Sequence, residues 1–428
     1  MLKHILHHSP KLVAFIMALR LALYQPQLNH VTRVADAIIM CESHKTLSNL
    51  YRQFVEAPDP TAAADCFRVS PWTAEDLRSP LHAFVVQDLL AYSEAVGMDK
   101  IIWVSIDDSL DEKDKDTRHL ELVDWHHNHS ESTRKKAIYK NGVMHVVCKI
   151  QVGPFIYTFD LQPYLREQTI RRLNRQRPKE QRLHFRSKYT IAHQMLTKLK
   201  ALLPKDYQVY ILFDSWYASG KLIKFCRRQG WHVICAIKSN RRLSGKAVRQ
   251  WDKQLWHQRY TRVRVTAAGG TSTEYLVRTL QGRIKDVPFD VCVFTSRRHH
   301  RDKHPKYFLC TDTSLSAQTA LNWYSKRWSC EVDNFYLKTM LGLSDFRVQS
   351  YEAGDKWFAV ELLTLVYLQW RLIREKSARI QSLADVIRQH RAEHGRDLLI
   401  GACQEALHLG TIEPVLQRFL HHEALALS

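Results

Sequence analysis

Two short apolar segments of the chain are each followed directly by acidic residues. Residues 100–106 (KIIWVSI) precede Asp107 and Asp108, and residues 207–213 (YQVYILF) precede Asp214. Short apolar runs rich in β-branched and aromatic residues are typical of buried strands. Adjacent acids at the end of a buried strand are costly unless a cation neutralises them. The pattern predicts two buried strands that end in carboxylates, although an acid that only opens the following loop gives the same pattern.

The segment after Asp214 continues as a β-α-β unit. A helix is predicted from about Ser219 to Gly230, and residues 231–238 (WHVICAIK) form a second apolar run. Two strands joined by a helical crossover lie parallel, which predicts an α/β fold. Open sheets of this kind bind their ligands at the carboxyl ends of the strands, where Asp214 is expected.

A further acid lies on a predicted helix that has no Pro or Gly and is closed by Gly342. Tyr324, Arg327, Glu331 and Lys338 follow one another along this segment. At roughly 100° per residue, these four side chains share a stripe about 60° wide. An amphipathic helix with a solvated polar face is the alternative interpretation.

The regions on either side of these motifs are predicted to be helical. Residues 1–95 contain short amphipathic segments that fit either a helix-turn-helix or a plain helical bundle, with Lys45 and Arg52 as candidate phosphate contacts. In the C-terminal region, the apolar helix at 357–373 is expected to pack back on the core.

The rest of the chain alternates between loops and short β-like runs. A charged loop at 110–128 is expected, followed by strands at 142–152 and 155–159, and residues 243–310 contain four more β-like runs. The segment 126–129 (HHNH) is predicted to be a polar loop, because its spacing suits no closed zinc site and no cysteine accompanies it.

The charge balance indicates a polyanionic partner. The 428 residues include 63 basic and 43 acidic side chains, a net charge of +20, and residues 166–188 hold a strongly basic stretch. Such an excess favours nucleic acid as the partner, through release of condensed counterions. The longest apolar run is too short to span a bilayer, and no signal peptide is evident, so we expect no membrane partner. Nine cysteines without a CxxC pair indicate a reducing compartment.

Taken together, these motifs resemble those of DDE transposases from bacterial insertion sequences. Tyr324, Arg327, Glu331 and Lys338 match the Y-x2-R-x3-E-x6-K signature of one branch of that family, and residues 214–219 (DSWYAS) resemble its second-Asp motif. Residues 307–312 resemble the strand that precedes the glutamate helix.

The resemblance implies an α/β fold with a ribonuclease-H-like mixed sheet flanked by helices. The implied regions are a helical N-terminal DNA-binding region (1–95), a first core part (96–239), a β-rich insertion (240–312), the glutamate helix (313–345) and a C-terminal helical region (346–428).

The resemblance also implies the chemistry of the site. Asp107, Asp214 and Glu331 would be the catalytic residues and would bind two Mg²⁺ ions, with Mn²⁺ as a substitute. Asp107 is preferred to Asp108 because the family places its first Asp directly at the strand's end.

Three further residues would contact DNA. Arg327 and Lys338 would hold phosphates, and Tyr324 would either reach a phosphate through its hydroxyl or support a flipped base. In hairpin-forming relatives an aromatic residue of the insertion stacks on that base. Trp251 and Trp256 are the candidates for that role here.

The implied function is cut-and-paste transposition by Mg²⁺-dependent cleavage and strand transfer, through a hairpin intermediate. The expected partners are the terminal inverted repeats and target DNA, with a homodimer in the synaptic complex and a location at the bacterial nucleoid in the cytoplasm. The alternatives are a catalytically retired DNA-binding protein and a simple metal nuclease, whereas a tyrosine recombinase is disfavoured.

Overall fold

A computed structural model describes residues 3–56, 59–128, 131–133, 136–255, 257–266, 270–302 and 304–420. His129 and Trp256, which belong to two of the sequence motifs, lie outside the described residues.

The helices flank a large sheet and occupy both ends of the chain. They are α1 Pro10–Ala18, α2 Gln25–Met40, α3 Leu47–Tyr51, α4 Pro60–Arg68, α5 Ala74–Ala95, α6 Glu167–Leu173, α7 Lys188–Leu202, α8 Gly220–Arg228, α9 Val248–Gln254, α10 Ala317–Ser325, α11 Ser329–Thr339, α12 Tyr351–Glu375, α13 Leu383–Leu409 and α14 Glu413–Phe419. Short 3-10 helices lie at Lys179–Gln181, Lys326–Trp328 and Leu343–Asp345.

The strands fall in the middle of the chain. They are β1 Ile101–Glu112, β2 Asp124–His127, β3 Tyr139–Val152, β4 Phe155–Tyr164, β5 Gln208–Phe213, β6 His232–Ile237, β7 Arg242–Leu243, β8 Lys246–Ala247, β9 Thr261–Thr266, β10 Ser272–Arg283, β11 Asp290–Arg297 and β12 Lys306–Cys310. The strands predicted at 142–152 and 155–159 are therefore present as β3 and β4.

Ten of these strands form one mixed sheet. Its order is β2-β3-β1-β5-β6-β12-β11-β10-β9, and β4 also pairs with β3. The strands β1, β5 and β6 are mutually parallel, whereas β3 is antiparallel to β1 and β12 is antiparallel to β6. The predicted β-α-β unit is confirmed as β5-α8-β6. The strands predicted as a β-rich insertion continue the central sheet beyond β6.

The first acidic strand is longer than predicted. β1 does not end at Asp107, because its antiparallel pairing with β3 continues to Glu112. The acid at position 111 is buried, and its Oδ2 lies 2.9 Å from Nδ1 of His145 on β3. Part of the predicted 110–128 loop, including His126 and His127 of the histidine motif, is also strand. Main-chain pairing with β3 outweighs the polar side-chain pattern in both segments.

The N- and C-terminal helices pack on each other and on one end of the sheet. The apolar segment predicted at 357–373 is confirmed as the buried central part of α12, which packs against β4, α5 and α2. Lys45, a candidate phosphate contact, is buried in this region, and its amine donates to the carbonyl of Cys41 at 2.6 Å. It is therefore not available to a phosphate.

Candidate active site

The register of the central sheet brings two of the predicted acids together. The last parallel pair between β1 and β5 is Ile106 with Phe213. Asp107 and Asp214 are the next residues on these two strands, so they lie side by side where the parallel pairing stops. This placement at the carboxyl end of β5 agrees with the expected position of a ligand site in an α/β sheet.

Asp214 is held by the turn that follows β5. Its Oδ1 accepts hydrogen bonds from the backbone N–H groups of Trp216, at 2.8 Å, and Tyr217, at 3.3 Å. An Asp that bonds to the backbone two residues on is typical of a turn, and here it fixes the carboxylate at the strand's end. Burial raises the pKa of Asp214, and the charge of Asp108 contributes to the increase.

Asp107 is buried close to the other acidic side chains of the cluster. Its Oδ2 accepts a hydrogen bond from the guanidinium of Arg327. Burial raises the pKa of Asp107 to about 7 although Arg327 lowers it, and the nearby carboxylates of Glu331, Asp108 and Asp214 add to the increase. Mutual repulsion of this kind is relieved when a cation binds between carboxylates.

Asp108 also belongs to the cluster, although it points to the other face of β1. Its Oδ2 lies 2.6 Å from the amine of Lys188 on α7. That amine lies 5.2 Å from the ring centre of Trp216 and 5.5 Å from that of Tyr164. Asp108 is thus neutralised by Lys188, whereas Asp107 is neutralised by Arg327.

The helix predicted from Tyr324 to Lys338 is broken in the structure. Tyr324 lies at the end of α10, Arg327 in a 3-10 turn over Lys326–Trp328, and Glu331 in the first turn of α11. The hydroxyl of Ser325 donates to the carbonyl of Asn322 at 2.7 Å, and such back-bonding bends helices. The segment is therefore helical from Tyr324 to Lys338, as predicted, but one 3-10 turn makes the helix irregular.

The break distributes the four signature residues over two places. Arg327 lies between Asp107 and Glu331, with its Nη2 3.7 Å from Oε1 of Glu331. Tyr324 packs against Phe308 at 4.9 Å between ring centres, and burial raises its pKa to about 12.

Lys338 lies further along β1. Its amine donates to the carbonyl of Leu110 at 2.7 Å and is 3.5 Å from Asp111. The structure therefore brings Arg327 and Glu331 to the acids of β1 and β5 but holds Lys338 beside a different stretch of β1.

A buried polar network anchors α11, and it was not foreseen from the sequence. Asp333, two residues after Glu331, is 2.8 Å from the amine of Lys149 on β3. Its Oδ2 also accepts hydrogen bonds from Thr158 and, at 3.2 Å, from Gln369 of α12. A lysine within an apolar strand pattern was the only sequence signal for this anchor.

Five of the nine arginines and lysines at 166–188 are engaged within the protein. Arg166 pairs with Asp124, Arg171 with Glu167, Arg177 with Glu121 and Glu352, and Lys188 with Asp108, and Arg186 donates to Gln162 and Tyr351. The arginines and lysine that remain exposed without an ion pair among the described residues are Arg172, Arg175, Lys179 and Arg182. They form the part of this stretch that is open to a polyanion.

The aromatic candidates for base stacking differ in accessibility. The indole N–H of Trp251 donates to the carbonyl of Leu243 at 2.8 Å, and its ring packs against the main core. Trp328, which directly follows Arg327, is 61% exposed. Of these two, Trp328 is the more exposed, and it lies next in sequence to Arg327 of the acidic cluster.

The donor set of the cluster suits a hard divalent cation. Carboxylate oxygens are the ligands that Mg²⁺ prefers, and each acid here raises the pKa of a neighbour. Asp107, Asp214 and Glu331 are spread more widely than the ligand atoms of a single compact three-residue site, judged over the described ranges.

Comparison with protein families supports the same class of chemistry. Residues 185–367 match the family model described as Transposase DDE domain. The match extends from the segment before α7 into α12, so it includes Asp214 and Glu331 but not β1. It supports a DDE transposase family and a transposase function in general, and a domain of this kind implies DNA binding and the use of divalent metal ions.

No curated protein matches the chain. Within the part of the chain that the structure describes, no helix is long and apolar enough to cross a lipid bilayer.

Proposed function

We propose that this protein is a DNA transposase that cuts the ends of its insertion sequence and joins them to target DNA. Three acids from separate elements, Asp107 on β1, Asp214 after β5 and Glu331 on α11, converge around Arg327. This convergence, on acids that lie far apart in sequence, carries the proposal.

The proposed architecture is ribonuclease-H-like. In such cores two antiparallel strands follow the strand of the first Asp, and here β3 and β4 follow β1 in that way. The parallel strands β5 and β6 lie on the other side of β1. The match to the family model over residues 185–367 is consistent with this assignment.

The three acids would hold two Mg²⁺ ions, or Mn²⁺ in their place. When bound, the ions would activate the attacking oxygen and stabilise the leaving oxygen of an in-line displacement at phosphorus. The Asx turn at Asp214 keeps one carboxylate in place before any ligand arrives, and burial of Asp107 keeps water away from the other. Asp108, neutralised by Lys188, would support this arrangement from the opposite face of β1.

Arg327 would recognise the scissile strand. Its guanidinium has a planar fork of donors that fits a phosphate, and it already lies between Asp107 and Glu331. Tyr324 would support this arginine, since its ring centre lies 6.0 Å from the guanidinium carbon. Lys338 would hold a phosphate further along the same strand of DNA.

Hairpin formation is the proposed route of release. It requires a base to leave the duplex, and an exposed aromatic ring can stack on that base. Trp328 has the required exposure and position, in contrast to Trp251. We further propose that two copies assemble on two terminal repeats, at the nucleoid of a bacterial cell.

Cleavage of a labelled duplex that carries the terminal repeat of the host element tests the proposal. With Mg²⁺, the unmodified protein should nick the repeat's end and then give hairpin and joined products. Asp214→Asn and Glu331→Gln should abolish these products and leave binding nearly intact. The amide oxygen of Asn can still accept the N–H groups of Trp216 and Tyr217, and Glu331 is 43% exposed and makes no hydrogen bond to the described residues. Glu274→Gln, a change at an exposed acid of β10, is the matched control and should cleave normally.

Two outcomes would contradict the proposal. Tight, salt-sensitive binding without any cut by the unmodified protein would indicate a retired transposase that now serves as a DNA-binding protein. Nicks without hairpin or joined products would indicate a simple metal nuclease.

A further inference from the structure

A second cluster of side chains that can bind a metal ion lies where the N-terminal helix α2 meets the C-terminal helix α13. It consists of Asp36 on α2 with His390 and His394 on α13, elements that carry none of the acids of the candidate active site. One donor atom from each residue lies within 4.8 Å of the other two, and this is the only such three-residue group in the described ranges. The sequence signal is a His-x3-His pair, which places both imidazoles on one face of a helix.

The geometry of the cluster is convergent. The Nε2 atoms of His390 and His394 lie 2.7 Å and 2.9 Å from the same oxygen, Oδ1 of Asp36. The other oxygen, Oδ2, accepts the backbone N–H of Ser9 at 3.1 Å, which fixes the plane of the carboxylate. Asp36 and His390 are fully buried and His394 is 4% exposed.

A third imidazole lies next to these three donors, on the other oxygen of Asp36. Nδ1 of His8 lies 3.5 Å from Oδ2 of Asp36, and it is shielded from solvent without a hydrogen bond to any described residue. A buried ring nitrogen without a partner is costly unless something binds it. Three imidazole nitrogens and one carboxylate are a ligand set typical of zinc.

Two polar groups lie behind His390. Its Nδ1 is 3.4 Å from the hydroxyl of Tyr367 and 3.4 Å from Nη1 of Arg371, which can only donate. With Nε2 on a metal ion, Nδ1 would carry the proton and donate it to the hydroxyl of Tyr367, and Arg371 would stay paired with Glu375 and Glu393.

We propose that Asp36, His390 and His394 form a structural site for a divalent transition metal, most suitably Zn²⁺, and that His8 turns towards the ion as its fourth ligand. Zinc bond lengths near 2.0–2.1 Å place tetrahedral ligands about 3.3 Å apart. The present separations of 2.7 and 2.9 Å would have to open by about half an ångström, which side-chain rotation provides. The ion would connect α2 to α13, which are 354 residues apart in sequence.

Metal analysis of the full chain tests this inference independently of transposition. The test protein carries Asp214→Asn and Glu331→Gln, so that the carboxylate cluster cannot hold the ion. After removal of metals with a chelator, one equivalent of Zn²⁺ is added and the zinc that stays with the protein on gel filtration is measured. We expect one zinc per chain, together with a Tm that falls by several degrees when chelator is added.

His394→Ala in the same background should weaken zinc binding beyond the about 10–100-fold change that loss of an outer hydrogen-bond partner causes. His30→Ala is the matched control, because His30 lies on α2 but bonds to Tyr51 at 2.7 Å instead of Asp36. It should retain the zinc.

Co²⁺ provides a second readout that does not depend on the stability of the His394→Ala protein. The Asp214→Asn, Glu331→Gln protein should give the intense visible absorption of four-coordinate Co²⁺. Replacement of the partly exposed His8 by Ala should change that spectrum. Absence of stoichiometric zinc and of a four-coordinate Co²⁺ spectrum, or equal zinc retention by the His394→Ala protein, would refute the site and leave a purely hydrogen-bonded cluster.

Discussion

The anchor of α11 predicts a large loss of stability from one substitution far from the catalytic acids. Lys149 and Asp333 are both nearly fully buried, with side-chain exposures of 4% and 3%, and their charged atoms are 2.8 Å apart. Lys149→Met keeps the volume of the side chain but removes its charge. The carboxylate of Asp333 then remains in the interior without a counter-ion.

The magnitude follows from the hydrogen bonds that remain. Removal of one partner of a buried ion pair costs about 3–5 kcal/mol. Asp333 would keep its hydrogen bonds from Thr158 and Gln369. We therefore expect a loss near the lower end, about 3 kcal/mol in the free energy of unfolding.

Adding Asp333→Leu to Lys149→Met should restore much of the lost stability. In Lys149→Met with Asp333→Leu, no charge is left in the interior, and Gln369 still donates to Thr158 at 2.9 Å. Replacement of a buried ion pair by apolar residues is often neutral or stabilising. The double variant should be more stable than the single Lys149→Met variant by about 2 kcal/mol.

Urea unfolding followed by tryptophan fluorescence and circular dichroism measures both values. Lys198→Met is the control, because Lys198 pairs with Glu75 at the surface, and loss of such a pair costs at most about 1 kcal/mol. A Lys149→Met protein as stable as the control, or a double variant less stable than Lys149→Met, would show that the pair does not anchor α11 as described.

Three other substitutions have clear expected outcomes. Gly142→Ala should destabilise the fold by about 3 kcal/mol, because the new Cβ would lie 2.2 Å from the carbonyl oxygen of Asp111. Gly395→Ala is the comparison: it lies within α13 with open space around it, so it should raise the stability by about 0.5–1 kcal/mol. Thermal unfolding measures both, and equal effects would contradict the close contact at Gly142. Trp328→Ala should leave Tm nearly unchanged but weaken binding to cleaved ends by about 1–3 kcal/mol in a titration, and unchanged affinity would exclude base stacking. Lys45→Gln should not alter the salt dependence of DNA binding, because the amine of Lys45 is buried. If the slope of log K against log salt concentration became smaller by about 0.9, Lys45 would instead contact a phosphate.

Local patterns predicted the centre of the fold well. The unit β5-α8-β6 was recognisable because both strands are short apolar runs and Ser219 and Gly230 mark the helix ends; Ser219 accepts the N–H of Leu222, and Gly230 has a φ of +82°. The long apolar segment at 357–373 likewise predicted a buried helix. In each case the decisive information lies within about twenty consecutive residues.

Contacts from distant segments explain what the sequence did not reveal. The acidic residues of β1 appear to end a strand, yet Arg327, Lys188 and His145 neutralise them from other elements and the strand continues. The 3-10 turn after Tyr324 interrupts a segment whose composition fits a continuous helix.

Buried polar groups were the hardest to foresee. Lys45 was expected at the surface, but it is buried, and its amine donates a hydrogen bond to the carbonyl of Cys41. The cluster of Asp36 with His390 joins residues 354 positions apart, so only the spacing of the two histidines on α13 was visible in the sequence.

The packing of the first helices on the last ones has a consequence for how the chain is made. Asp36 on α2 meets its partner His390 only after 354 further residues have been added. At a synthesis rate of about 5–20 residues per second, that interval is about 18–70 s. During this time the face of α2 that carries Asp36, which includes the buried Ile39 and Met40, has no α13 to cover it. The helical end of the molecule can therefore be completed only after α13 has been made, and until then the growing chain exposes this apolar face of α2 to solvent.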